Sequence, residues 1–225
     1  MAASGSDAWT VEALERVRAD GLVDGALPRP TQLLRLELPR PAFRGIDVYA
    51  KDESAHPTGS LAGVDAEHSA YFPSWASNCP DHATGVPSRV PGIGRPRTEP
   101  GFVPDVIDLV VPVPDAAALA ASAWIRRSTG IEAGPATGAN VWAVCHLAAR
   151  IREADTRGSV ATLVGDRADP YRVTHLDARW VRGRGLEPGP HEVVLDRFGR
   201  TGVRLPTQWC TVEVRLTGGG SRAGR

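Results

Sequence analysis

Val106-Ile107-Asp108-Leu109-Val110-Val111 decides the fold class of this chain. Apart from Asp108 the run is apolar, and β-branched side chains dominate it. A short stretch that is apolar at both odd and even positions reads as a strand buried on both faces, as in a helix-covered parallel sheet. Just beyond it, Asp115 is expected to cap a helix reaching about Thr129, where Gly130 stops it. Gly134-Pro135-Ala136-Thr137-Gly138 opens a second helix that runs to about Ala154. Val141, Val144, Cys145, Leu147, Ala148 and Ile151 form its apolar face. Val160 to Val164 reads as the next strand, so strands and helices alternate in the manner of an α/β layer structure.

Toward the N-terminus, residues 54 to 104 are rich in Pro, Gly and Ser and read as loops with short pieces of structure. Ile46 to Lys51 is a predicted strand, and Leu34 to Leu38 alternates as a half-buried one. Pro28 and Pro30 break any helix, while Val11, Leu14 and Val17 give residues 8 to 19 a helical stripe ahead of Gly21. Toward the C-terminus, residues 177 to 184 read as a short helix. From Pro188 the chain reads as a tail with a candidate strand at Thr211 to Leu216. It closes on Gly-Gly-Gly-Ser-Arg-Ala-Gly-Arg, which cannot bury enough surface to order itself. No internal repeat is visible.

With 225 residues, 42% hydrophobic and 23% charged, the composition fits an ordinary globular protein. The 26 basic and 26 acidic residues cancel, which leaves no electrostatic reason to expect nucleic acid or an acidic membrane as partner. Cys79, Cys145 and Cys210 lie too far apart for a disulfide framework or a zinc site. His68, His82, His175 and His191 show no metal-ligand spacing either, so no metal is expected. No apolar run approaches the ~20 residues that span a bilayer, and the start of the sequence has no signal-peptide pattern. A cytoplasmic location is the expectation.

Lys51-Asp52-Glu53-Ser54-Ala55-His56-Pro57-Thr58-Gly59-Ser60-Leu61 resembles the cofactor segment of the pyridoxal-phosphate-dependent cysteine synthase family, fold type II enzymes related to the tryptophan synthase β chain. In that family K-x-E is followed by N/H-P-T-G-S, one apolar residue, and the lysine that bonds the cofactor. Pro30-Thr31-Gln32-Leu33-Leu34-Arg35-Leu36 matches an early family strand, with Gln32 where proline is usual. A second block of similarity covers about residues 63 to 187. It includes Val64-Asp65-Ala66-Glu67, Ser69-Ala70-Tyr71-Phe72-Pro73, Gly92-Ile93-Gly94-Arg95-Pro96-Arg97 and Gly134 through Trp142.

The resemblance implies an α/β chain, a remnant of the two-domain fold type II architecture with the small mobile domain missing. Residues 1–63 and 64–187 would be two pieces of the large domain, and 188–225 the tail, disordered at its end. Between the two blocks relatives have the rest of the lysine helix, an S-S-G-N-T-type carboxylate loop, the mobile domain and a G-x-G-G-T phosphate loop. None of these is found, and Leu61 to Val64 reads as the junction of an in-frame deletion. The position that bonds the cofactor is Ala62, and Lys51 is the only lysine in the chain.

For the family, the resemblance implies replacement of a β-substituent of an activated L-serine by a sulfur nucleophile, with pyridoxal phosphate as cofactor and an amino acid as substrate. The lysine would supply both the imine and the proton shuttle, and a Gly-rich loop at a helix N-terminus would hold the phosphate. Without them this copy is expected to be catalytically defective, with no catalytic residue and no bound cofactor. It would be a truncated remnant, a homodimer or a dimer partner of an intact relative.

Vestigial cofactor-side positions are Gly92, Ile93 and Gly94, which lie along the cofactor edge in relatives, and Asp166 and Arg167. Arg167 stands where relatives often place a serine against the pyridine nitrogen. The plainer reading makes Gly92–Gly94 a tight turn and Asp166 a strand-end turn residue. Thr137 is either part of an anion-binding helix end or an ordinary N-cap. Cys145 reads as core, pointing away from His146, and Lys51 reads as an ion-pair partner of its acidic neighbours.

Overall fold

The computed structural model describes residues 34–35, 41, 46–50, 61–155, 158–203, 205 and 213–214. All lie in one compact unit, Gln32–Arg225. The expected helix at 8–19, Lys51 and the His56–Ser60 motif fall outside the described residues.

In chain order the elements are β1 (Leu34–Arg35), β2 (Ile46–Ala50), β3 (Ala62–Ala66), α1 (Tyr71–Ser77), β4 (Leu109–Val113) and α2 (Asp115–Thr129). They continue with α3 (Pro135–Glu153), β5 (Gly158–Thr162), α4 (Ala178–Gly183), α5 (Gly189–Thr201) and β6 (Glu213–Val214). Two sheets form, in the orders β1-β2-β5 and β3-β4-β6. The pairs β2–β5 and β3–β4 are parallel, the latter in register from Ala62↔Leu109 to Ala66↔Val113. The outer pairs β1–β2 and β4–β6 are antiparallel. Helix α3 packs on β5 as well as on β3 and β4, so one helix serves both sheets. The fold is α/β, as the strand–helix alternation implies.

β4 starts later than the apolar run suggested. Pro104 initiates a 3₁₀ turn through Val106, and Asp108 closes against Leu61, whose N–H donates to Asp108 Oδ2 at 2.6 Å. The strand proper is buried on both sides: Val111 and Val113 enter the main core, while Val110 lines a hollow with Tyr71 and Phe72. The main core gathers these valines with Trp124, Ile125, Trp142, Leu195 and Phe198. Each such fully buried side chain contributes on the order of 1.5–3 kcal/mol.

Three elements escaped the reading of the sequence. Ala62-Gly63-Val64-Asp65-Ala66 has no strand propensity worth the name and becomes β3 through its pairing with β4. It runs straight across the expected junction at Leu61 to Val64. Tyr71–Ser77 forms α1 with Asp65 supplying the cap from outside, because the buried carboxylate accepts the Phe72 N–H at 2.8 Å. The stretch from Pro188, read as a tail, holds helix α5, which packs on α2. Pro188 is its N-cap and Pro190 lies in its first turn, where proline is tolerated. Leu195 and Phe198, three apart and fully buried, are the stripe that marks this helix.

Helix ends also differ in detail. Gly130 terminates α2 in the left-handed region as expected, with φ 75°. Asp115 is not the cap of that helix: Pro114 takes the position and Asp115 is the first helical residue. Likewise Gly134, not Thr137, is the N-cap of α3. Among the described residues, no helix is long and apolar enough to cross a membrane.

Candidate site at the strand ends

Three carboxylates stand beyond the carboxyl ends of the parallel strands, where open α/β sheets place their ligand sites. Glu67 follows β3, Asp115 follows β4 and Asp166 follows β5. Arg89 reaches over the first two from the loop between α1 and β4. Its Nε donates to Asp115 Oδ2 at 2.7 Å and its guanidinium to Glu67 Oε2 at 3.2 Å. Glu67 Oε2 also accepts the Asp115 N–H at 3.1 Å. His175, with a proton on Nε2, donates to the Arg89 carbonyl at 2.8 Å and ties the segment after β5 to the same loop. Burial holds the Asp115 carboxyl above the ordinary carboxylate range, with Arg89 pulling the other way. Burial likewise raises Asp65, against its hydrogen bonds with Ser69, Phe72 and Ala66.

Asp166 and Thr137 form the second centre. The Asp166 carboxylate accepts the Ala136 N–H at 3.0 Å and the Thr137 N–H at 2.7 Å, two of the donors that a helix start leaves without intrahelical partners. The Thr137 hydroxyl lies 2.8 Å from both Asp166 Oδ1 and its carbonyl, and it accepts the Asp166 N–H at 3.1 Å. Gly134 makes room for this: a Cβ there would lie 2.5 Å from the Asp166 carboxylate. The α3 N-terminus thus holds an anion, as its dipole favours, but the anion is the chain's own. Burial and the adjacent Asp166 push the Tyr171 phenol upward.

The remaining positions singled out in the sequence fall as follows. Gly92 and Gly94 have φ of 87° and 73°, so both lie where glycine is favoured. A Cβ on Gly94 would also press at 3.0–3.2 Å on Ala66, Ser88 and Ser69. Ile93 packs against the main core. Arg167 is exposed and lies 3.7 Å from Asp169. Cys145 is fully buried and burial raises its thiol; His146 is buried beside it, not on a solvent face. The Glu67–Arg89–Asp115 network was missed in the sequence, because nothing in the spacing of those residues announces that loop and strand ends converge.

With parallel strands, polar groups at their carboxyl ends and a helix start beside them, the chain agrees with the resemblance to the pyridoxal-phosphate-dependent cysteine synthase family. It is 40% identical over 141 residues to L-cysteine desulfhydrase Cds1 of Mycobacterium tuberculosis (strain ATCC 25177 / H37Ra). That match covers 63% of this chain and 38% of the relative, so the chain aligns with well under half of the relative's length. No family model matches the chain.

The described residues do not fit the family cofactor. Ala62 opens strand β3 and is paired with Leu109, so the lysine position lies at the amino end of a strand. The four rises of about 3.3 Å from Ala62 to Ala66 put it ~13 Å from the carboxyl end of the strand. The start of α3, the kind of helix end that binds phosphate, already holds Asp166. The hollow lined by Gly63, Val64, Tyr71, Phe72, Phe102 and Ile107 measures about 90 Å³, well short of the ~300 Å³ at which small-molecule sites begin.

Proposed function

We propose that this chain is a catalytically silent member of its family, derived from an enzyme acting on the β-carbon of a cysteine-type amino acid. The observation that carries the reading is Ala62, a methyl side chain in a paired strand where the family motif calls for the imine-forming lysine. Without that amine the family chemistry lacks both its covalent anchor and its base. A general acid–base group alone accounts for roughly 10²- to 10⁴-fold in rate. The parent reaction is assigned as removal of sulfide from L-cysteine, by analogy with the relative's name. Replacement of an activated serine's β-substituent by sulfide is the second reading, favoured by the Thr58-Gly59-Ser60 motif. A cytoplasmic role, alone or docked on an intact relative, completes the proposal.

The test is spectroscopic. Purified chain mixed with pyridoxal phosphate and desalted should keep no visible imine band and should release no sulfide from L-cysteine. A band that survives desalting and maps to a residue of this chain would defeat the reading.

A further inference from the structure

Asp115 is a buried carboxyl that no family role explains. Its side chain is 1% exposed, and only one of its oxygens is engaged. Oδ2 takes the Arg89 Nε–H at 2.7 Å, while Oδ1 is buried without a hydrogen-bond partner. A buried carboxylate oxygen with no donor is costly, and taking up a proton relieves that cost by removing the buried charge. Arg89, by contrast, is 37% exposed, so the pair has a path to solvent along the guanidinium.

The charged and titratable groups around the carboxyl come from every element packed there. Glu67 and His68 follow β3, with His68 Nε2 3.5 Å from Glu67 Oε1. Arg89 comes from the loop, and His175 holds that loop by the Arg89 carbonyl. His191 on α5 senses Glu67. Glu67 keeps its own donors, the Arg89 guanidinium and the Asp115 N–H, whatever the state of Asp115. The His175 bond to the Arg89 carbonyl persists when that ring is protonated, since Nε2 remains a donor. Asp115 is therefore the buried member of the cluster whose protonation changes how Arg89 is held.

We propose that Asp115 is a proton-controlled anchor for the Ser88–Arg95 loop: on taking up a proton at Oδ1 it weakens its hold on Arg89, leaves that arginine on Glu67, and loosens the Gly92–Ile93–Gly94 turn. The proton comes from solvent, and the Asp115–Arg89 ion pair becomes a hydrogen bond from a charged donor to a neutral acceptor, which loses the attraction between opposite charges. The loop is suited to respond. Val90 seats it in the core, the Arg95 N–H donates to Ser69 Oγ at 3.2 Å, and Gly94 packs tightly on Ala66, Ser88 and Ser69. The stretch between these anchors carries the turn.

The experiment is a nuclear magnetic resonance titration of the full chain from about pH 4 to 8, spanning the carboxyl and imidazole ranges. It follows Asp115 Cγ, the Arg89 Nε–Hε signal and the amides of residues 88–95. The expected result is one shared midpoint above the ordinary carboxylate value, with loss of the Arg89 Hε signal on the acid side. In Asp115→Asn that step should vanish from the loop amides. Separate midpoints for Asp115 and the loop, a motionless loop, or an unchanged step in Asp115→Asn would each overturn the proposal. If Asp115→Asn does not fold, coincidence or separation of the wild-type midpoints still decides.

Discussion

Gly138 lies against the backbone of Ala118 so closely that a Cβ on the glycine would collide with the Ala118 carbonyl oxygen and lie 2.7 Å from the Ser122 amide nitrogen. Here α2 and α3, which both contribute to the main core, pack backbone against backbone. Ser122 reinforces it by donating through its hydroxyl to the Ala133 carbonyl at 2.8 Å. In an open helix, glycine to alanine would gain ~1 kcal/mol of helix propensity. Here the obstacle is backbone, which cannot swing aside, so the helices must part. We expect Gly138→Ala to destabilise by ~1–3 kcal/mol, the usual cost of overpacking. Urea unfolding followed by far-ultraviolet circular dichroism checks it; an unchanged or raised midpoint would show that the helices do not meet there.

Asp166 and Thr137 should behave as one unit. Asp166→Ala removes the acceptor for two helix-start amides and should cost ~0.5–2 kcal/mol, as cap losses do. Thr137→Val removes the hydroxyl that lies between the Asp166 carboxylate, its carbonyl and its amide. Residues sharing a network couple, so the double variant should lose less than the sum of the singles, by 0.5 kcal/mol or more on the usual scale. Additive losses in a double-mutant cycle would mean the two contacts act separately.

Stability should depend on pH in two opposed ways. Burial raises Asp65 and Asp115 above their ordinary value of 3.8, so the folded chain holds those protons more tightly than the unfolded chain does. Their contribution is complete below pH 3.8 and declines as pH rises through the raised folded values. His191 works the other way: burial lowers it from 6.5, with Glu67 opposing. Its contribution is present above pH 6.5 and is lost as pH falls through the lowered folded value. His191→Phe should therefore flatten the acid-side loss below pH 6.5, read as unfolding midpoint against pH. A slope in that range equal to wild type would remove His191 from the account.

How much of this was legible in the sequence follows from what each feature depends on. Leu109, Val110 and Val111 announce a strand by composition alone, and the stop at Gly130 follows from glycine's freedom at positive φ. The α/β class follows from such local signals. β3 does not, because Ala62–Ala66 is a strand only in the company of β4. Asp166 was legible as a residue at a strand's end, but its hold on α3 depends on a helix 29 positions away in sequence. The Arg89–Asp115 pair, 26 positions apart, was invisible for the same reason. Arg167 drew attention through a family motif, and its side chain lies in solvent.

Restoring only the missing lysine should not restore chemistry. Ala62→Lys would place an ammonium at the amino end of β3, paired beside Leu109. Glu67, Asp115 and Asp166 stand past the carboxyl ends of their strands, ~13 Å further along β3 by strand rise alone. The new amine would have no glycine-rich loop to bring a phosphate to it, and the start of α3 holds Asp166. Correct positioning of reacting groups is worth about 7–11 kcal/mol in enzymes, and an amine at the wrong end of a strand collects none of that. We therefore expect Ala62→Lys to release no sulfide from L-cysteine, and to make no cysteine from an activated serine, beyond the rate of free pyridoxal phosphate. Inserting the middle segment of an intact relative between Leu61 and Val64 should restore turnover, since it returns lysine, carboxylate loop and phosphate loop together. Turnover from the single substitution would mean that a pocket assembles around residue 62, and the assignment of this chain as catalytically silent by loss of its middle would fall with it.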